Sequence, residues 1–259
     1  MNEREFSVLE AKKKMMEDPN LSTKPNLVNR DYVVMEFRFS EFSEGDKEKI
    51  IQDAEELSQK ANKKGANSGK TRAPKVVEND AYAGVLAEFA TVYYLNSLDL
   101  GTVFRPEVTD ISNQIDVLWE FSENDSITIE VRSSFVNNGL DFGLFVIDKS
   151  TNQPFFDIIG PYYQKNYKTD YEPVKDFYAR VLFEGKKYNV KNRFIEKNEP
   201  FYLIGFISGK KLIKRDYHKP LTEKDATNLI SGDYYVAPIN EIWDIAMFKN
   251  VAQIKRNLK

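Results

Sequence analysis

The segment QIDVLWEFSENDSITIEVRSSF, residues 114–135, limits the fold more than any other part of the chain. Two runs rich in β-branched and aromatic residues flank the polar stretch SENDS. That pattern predicts a β-hairpin centred near residues 123–124. In the second run Ile127, Ile129 and Val131 point one way, and Thr128, Glu130 and Arg132 the other. Folding about the turn brings Asp116 opposite residues 130–132, where cross-strand neighbours lie roughly 5 Å apart. Asp116 and Glu130 thus approach each other on one face. Two carboxylates that close repel unless a divalent cation sits between them. An Asp opposite an Arg is also an ordinary cross-strand ion pair, so the three charges admit a structural as well as a chemical explanation.

A second misplaced charge lies upstream. DAYAGVLAEFATVYYLNS predicts a helix at about 80–97. At about 100° per residue, Glu88 shares a face with Ala81, Gly84, Val85, Val92 and Leu95. A carboxylate buried in an apolar stripe needs a cation, a proton or a donor. Either it meets a core Arg or it points into a site across the sheet. Gly84, one turn earlier, is expected to let the helix approach its neighbour closely.

Composition narrows the chemistry. The 259 residues are 41% hydrophobic and 13% aromatic, enough for a folded core in one large domain or a domain with an arm. Apolar runs are short and broken by charge, so none is expected to span a bilayer or to engage a membrane that way. The start, MNEREFSVLEAKKKMMEDPN, carries charges where a signal peptide needs an apolar run. With no cysteine, disulfides and cysteine zinc sites are excluded, and a cytoplasmic location is the default expectation. One histidine, His218, rules out a multi-His metal site and has no nucleophile motif beside it. Carboxylates, Lys, Arg and Tyr must carry any chemistry, and carboxylate oxygens suit hard ions such as magnesium. A net charge of −3 is not that of a nonspecific nucleic-acid coat.

Elsewhere the pattern predicts a helix at roughly 3–18, a strand at 32–39 and an amphipathic helix from Ser43 whose inward stripe is Ile50, Ile51, Ala54 and Leu57. Residues 63–75, KKGANSGKTRAPK, read as a basic loop. Three residues separate Gly65 from Gly69 where a P-loop needs four, and no buried strand precedes them, so triphosphate binding is rejected. Strands are expected at 102–108, 142–147, 155–159 and 200–209, with 176–184 ambiguous and a C-terminal helix after INEIWDIA. The order suggests an α/β domain on a mixed sheet. Residues 1–75 read as an N-terminal helical arm and basic loop, and 76–259 as the main domain with a large insertion at 136–199. That insertion holds PYYQKNYKTDYEP and GKKYNVKNR, residue types suited to phosphate contacts and stacking.

A helix carrying Glu, then Asp, then Glu-Val-basic on the next strand resembles the PD-(D/E)XK nuclease superfamily, to which restriction endonucleases belong. The pieces are GVLAEFA around Glu88, QIDV around Asp116 and IEVRSSF around Glu130 and Arg132. The resemblance covers about residues 80–135 and loosely the strand at 201–207. It implies a restriction endonuclease-like α/β core, with a central mixed β-sheet flanked by helices. It also implies magnesium-dependent hydrolysis of DNA phosphodiester bonds, with manganese as a substitute ion. Carried over by position, Asp116 and Glu130 would hold the metal with the main-chain carbonyl of Val131, and Glu88 would complete the shell. Ile115 stands where the family name has proline. Arg132 stands where it has lysine; it stays charged and cannot serve as a base, but it can bind phosphate. Lys149 is a candidate replacement. Restriction-type enzymes that cut palindromes are often homodimers. The alternative is a nuclease-like module that has lost cleavage and binds nucleic acid or a protein partner. A third reading is a non-nuclease α/β protein in which the charges form a salt-bridge network.

Overall fold

The computed structural model describes residues 1–18, 26–60, 72–107, 115–150, 152–164, 173–214, 218–221 and 232–257. Along the chain run β1 (Asn2–Phe6), α1 (Val8–Glu17), β2 (Tyr32–Phe37), α2 (Glu44–Lys60) and α3 (Pro74–Asn96). Then come β3 (Thr102–Phe104), β4 (Val117–Ser122), β5 (Asp125–Val136), α4 (Leu140–Phe145), β6 (Ile147–Asp148) and β7 (Gln153–Pro154). The rest comprises β8 (Asp157–Gln164), β9 (Phe177–Glu184), β10 (Phe201–Ser208), α5 (Gly209–Lys214), β11 (His218–Leu221), β12 (Gly232–Pro238), β13 (Trp243–Asp244) and α6 (Ile245–Asn257).

The predicted hairpin forms as read: β4 and β5 pair antiparallel across a turn at residues 123–124, with Val117 opposite Ile129. Around it grows a mixed sheet in the order β1-β2-β10-β9-β5-β4-β3, with β13 also on β10. Among the described residues of this sheet only β5 and β9 pair parallel. Helices α2, α3 and α6 cover one face through Ile50, Leu86, Phe89, Tyr94 and Phe248. On the other face lie α1, α4, α5 and the three-stranded sheet β11-β12-β8. The protein is therefore an α/β structure whose mixed central sheet is flanked by helices on both sides.

Several expectations need correction. Residues 2–6 form a strand, not the start of a helix; β1 pairs with β2 along its whole length, and Arg4 ion-pairs with the buried Glu36. The expected arm therefore contributes two strands to the central sheet. The helix expected at 80–97 begins at Pro74, whose missing N–H is tolerated in a first turn. Residues 140–145 are helical where a strand was expected, since Leu140, Gly143 and Leu144 bury one helical face. Glu184, at the end of β9, accepts the N–H of Leu140 at 2.8 Å and caps that helix. The ambiguous segment becomes β9, flanked by β5 and β10, so the supposed insertion at 136–199 supplies a core strand. Ser43 does cap α2, accepting the N–H of Asp46, and Ile50 and Ala54 are buried. Leu57 is exposed instead. Of the basic loop, residues 63–71 lie outside the described residues, as does most of PYYQKNYKTDYEP.

Gly84 is not a point of close approach: a Cβ there would meet nothing within 4 Å. Gly205 is. It sits where β10 changes partner from β2 to β13, and a Cβ on it would lie 2.1 Å from the Trp243 carbonyl oxygen. That clash is with backbone, so it cannot be relieved by a rotamer change. Gly205→Ala is expected to destabilise the fold by about 2–3 kcal/mol, the upper range for overpacking, measured by equilibrium denaturation.

Candidate functional site

β5 is twelve residues long and has a strand on each side. Ile127 and Ile129 point into the core beneath α3, as alternation predicts. Glu130 points to the opposite face and is only 8% exposed. Asp116 lies one residue before β4, one register step beyond the Val117–Ile129 pair, which sets it opposite Glu130. Its Oδ2 accepts the N–H of Val131 at 2.8 Å. The sequence-predicted apposition of Asp116 and Glu130 is thus present. The predicted role of Val131 rested on its carbonyl; its N–H is the group that holds Asp116.

The cations distribute themselves over these carboxylates. Arg132 reaches back along its own strand to Glu130, Nη2 to Oε1 at 2.8 Å. Glu88, on α3, receives the Nε–H of Arg105 at 2.7 Å. Arg105 follows β3, also ion-pairs with Asp53 of α2, and stacks 4.7 Å from the centre of the Phe89 ring. Glu88 is thus clamped in an ion pair with an arginine, one of the two accounts its apolar stripe allowed. Lys149 is exposed in the turn between β6 and β7.

Three carboxylates sit within electrostatic reach of one another. Burial pushes the Asp116 carboxyl well above the ordinary range, and the negative charges of Glu130 and Glu88 push it further. The Val131 N–H and Arg132 pull weakly the other way. Burial also raises Glu88, against the pull of Arg105, and Asp53 and Glu130 add to the rise. Such a site holds more negative charge than its cations offset. Two apposed, desolvated carboxylates offer the hard oxygen donors that suit a magnesium ion. Glu88 is already engaged by Arg105, and no group of three His, Cys, Asp or Glu side chains placed to hold a metal occurs among the described residues.

Four charged residues of this region were not singled out in the sequence. Asp53 falls on the inward stripe of α2 between Ile50 and Ala54, a signal of the same kind as Glu88. Arg180 interrupts the apolar run FYARVLFE. Arg105 and Asp157 sit at strand ends, where charge is unremarkable in sequence. No protein-family model matches the chain, and no curated protein or solved structure matches it.

Two outcomes follow. Because folded Asp116 holds its proton more tightly than the unfolded residue, the charged form weakens the fold. The loss is absent at acid pH, where both states are protonated, and grows as pH rises from the unfolded carboxylate range towards the folded value. In chelator near neutral pH, Asp116→Asn should raise the melting temperature by a few degrees, as ~1 kcal/mol does in a chain of this size. Near pH 4 the gain should vanish; equal gain at both pH values would contradict the charge argument. Arg105→Ala, which leaves Glu88 and Asp53 facing each other, should cost roughly 3 kcal/mol by denaturant titration.

Proposed function

We propose that the protein is a divalent-metal-dependent nuclease that hydrolyses DNA phosphodiester bonds. The observation that carries this reading is the apposition of the half-buried Asp116 and the buried Glu130, with Asp116 driven towards its protonated form by burial and by the neighbouring carboxylates. The order of α3, β3, β4 and β5 is compatible with the resemblance to the PD-(D/E)XK nucleases.

In this reading Asp116 and Glu130 hold a magnesium ion. When bound, the ion lowers the pKa of a water and offsets charge on the attacked phosphate. Arg132, beside Glu130, would contribute a fixed cation to the phosphate. Glu88 remains with Arg105 and acts at a distance, keeping the site negative. In the overall step a water oxygen bonds to phosphorus, one P–O ester bond breaks, and the leaving oxygen takes up a proton. A phosphomonoester and an alcohol result.

The Glu130–Arg132 and Glu88–Arg105 ion pairs favour a second reading, a nuclease-like module that binds nucleic acid without cutting it. Cleavage of a mixed plasmid and phage DNA panel with magnesium, manganese or EDTA separates the two. Metal-dependent cutting by wild type is expected, with Glu130→Ala slower by about a thousandfold or more, the equivalent of several kcal/mol of lost metal stabilisation. DNA retention without any cutting would sink the enzyme reading and leave the binding module.

A further inference from the structure

Arg180 is the least explained charge in the protein. It lies mid-way along β9, 3% exposed, in a strand whose other residues are almost all apolar. Its Nε and Nη1 find no hydrogen-bond partner among the described residues. A buried guanidinium with unmet N–H groups is costly, because each forgoes water without a substitute. Asp157, at the start of β8, offsets the charge in part. Burial and the neighbouring Arg132 outweigh that help and bring the Arg180 side chain down to about 10.

Its position is specific. In the parallel pairing of β5 with β9, Arg180 is the register partner of Arg132. The two α-carbons are thus about 5 Å apart. Residues 130 and 132 share one sheet face by alternation, and the parallel register sets Tyr178 and Arg180 beside them. Two guanidinium groups therefore stand next to the Asp116–Glu130 pair on the side away from β4. Adjacent like charges repel, and although Glu130 pairs with Arg132 and Asp157 acts on Arg180, two N–H groups of Arg180 stay unmet among the described residues. Guanidinium forks match the oxygens of phosphates as they do those of carboxylates.

We infer that Arg180 and Arg132 together form a phosphate-binding site one strand away from the Asp116–Glu130 carboxylates. Arg132 is the more exposed of the two, and Arg180 lies buried beside it. That this phosphate is the one under attack rests on the nuclease reading; the anion site itself does not.

The test needs no metal and no cleavage. Thermal melting of the full chain is followed in EDTA, with inorganic phosphate compared against chloride at equal ionic strength. Two variants are run beside wild type, Arg180→Met and Asp157→Asn/Arg180→Met. The double variant removes both buried charges, so it keeps the comparison usable if the single variant folds poorly. Phosphate also stabilises proteins generally, and the variants report that background. Wild type should gain a few degrees in phosphate beyond the gain of the double variant. An equal gain in both, or none in wild type, overturns the inference. A phosphate response that depends on Arg180 in a protein that cuts no DNA supports the anion site and removes the nuclease reading alone.

Discussion

The desolvation of charge on β5 is the constraint around which this structure is arranged. A strand with neighbours on both edges shields its central residues from water, and Glu130 is only 8% exposed. Glu130 and Arg132 are nevertheless on it, and Asp116 is brought to it from the end of β4. Each charge must then be answered by another charge, a proton or a donor. The Val131 N–H, the Arg132 guanidinium and the raised proton affinity of Asp116 are those answers. The negative charges of Glu130 and Glu88 still bear on Asp116.

The helices serve the same end from the other side. α3 is buried on almost every side because α2 packs over it and the sheet lies beneath. Glu88 could not be carried there alone. Arg105 reaches it from the end of β3 and is shared with Asp53, so one cation ties α2, α3 and the start of the hairpin region together. The arrangement fixes Glu88 without neutralising its influence on Asp116. The parallel partner β9 supplies the other half of the electrostatics, placing Arg180 where an antiparallel hairpin could not. The chain needs the long path from Val136 to Phe177 to make that parallel connection.

What was legible in the sequence was local. The β4–β5 hairpin, its turn and the facing of Asp116 and Glu130 follow from period-two alternation and a polar turn, which act over a few residues. The misplacement of Glu88 follows in the same way from the helical period. Where two local patterns compete, the sequence was less decisive. FGLFVI reads as a strand by composition, yet Leu140–Phe145 turns into a helix once Glu184 caps it from the neighbouring strand. NEREF looks like a charged helix start, yet β2 offers it an edge to pair with.

The sequence by itself determined that carboxylates, lysines, arginines and tyrosines must carry any acid–base or metal chemistry here, since it has no cysteine and one histidine. It also determined which residues of the hairpin share a face, because alternation along a strand is a property of the backbone. Only the tertiary structure decided which cation meets which anion. Arg105 lies 17 residues from Glu88, and Arg180 stands 48 residues from the Arg132 it neighbours. Such pairings depend on sheet order and on the one parallel register in the sheet. Those are set by the burial of the whole core, and no short stretch of sequence contains them.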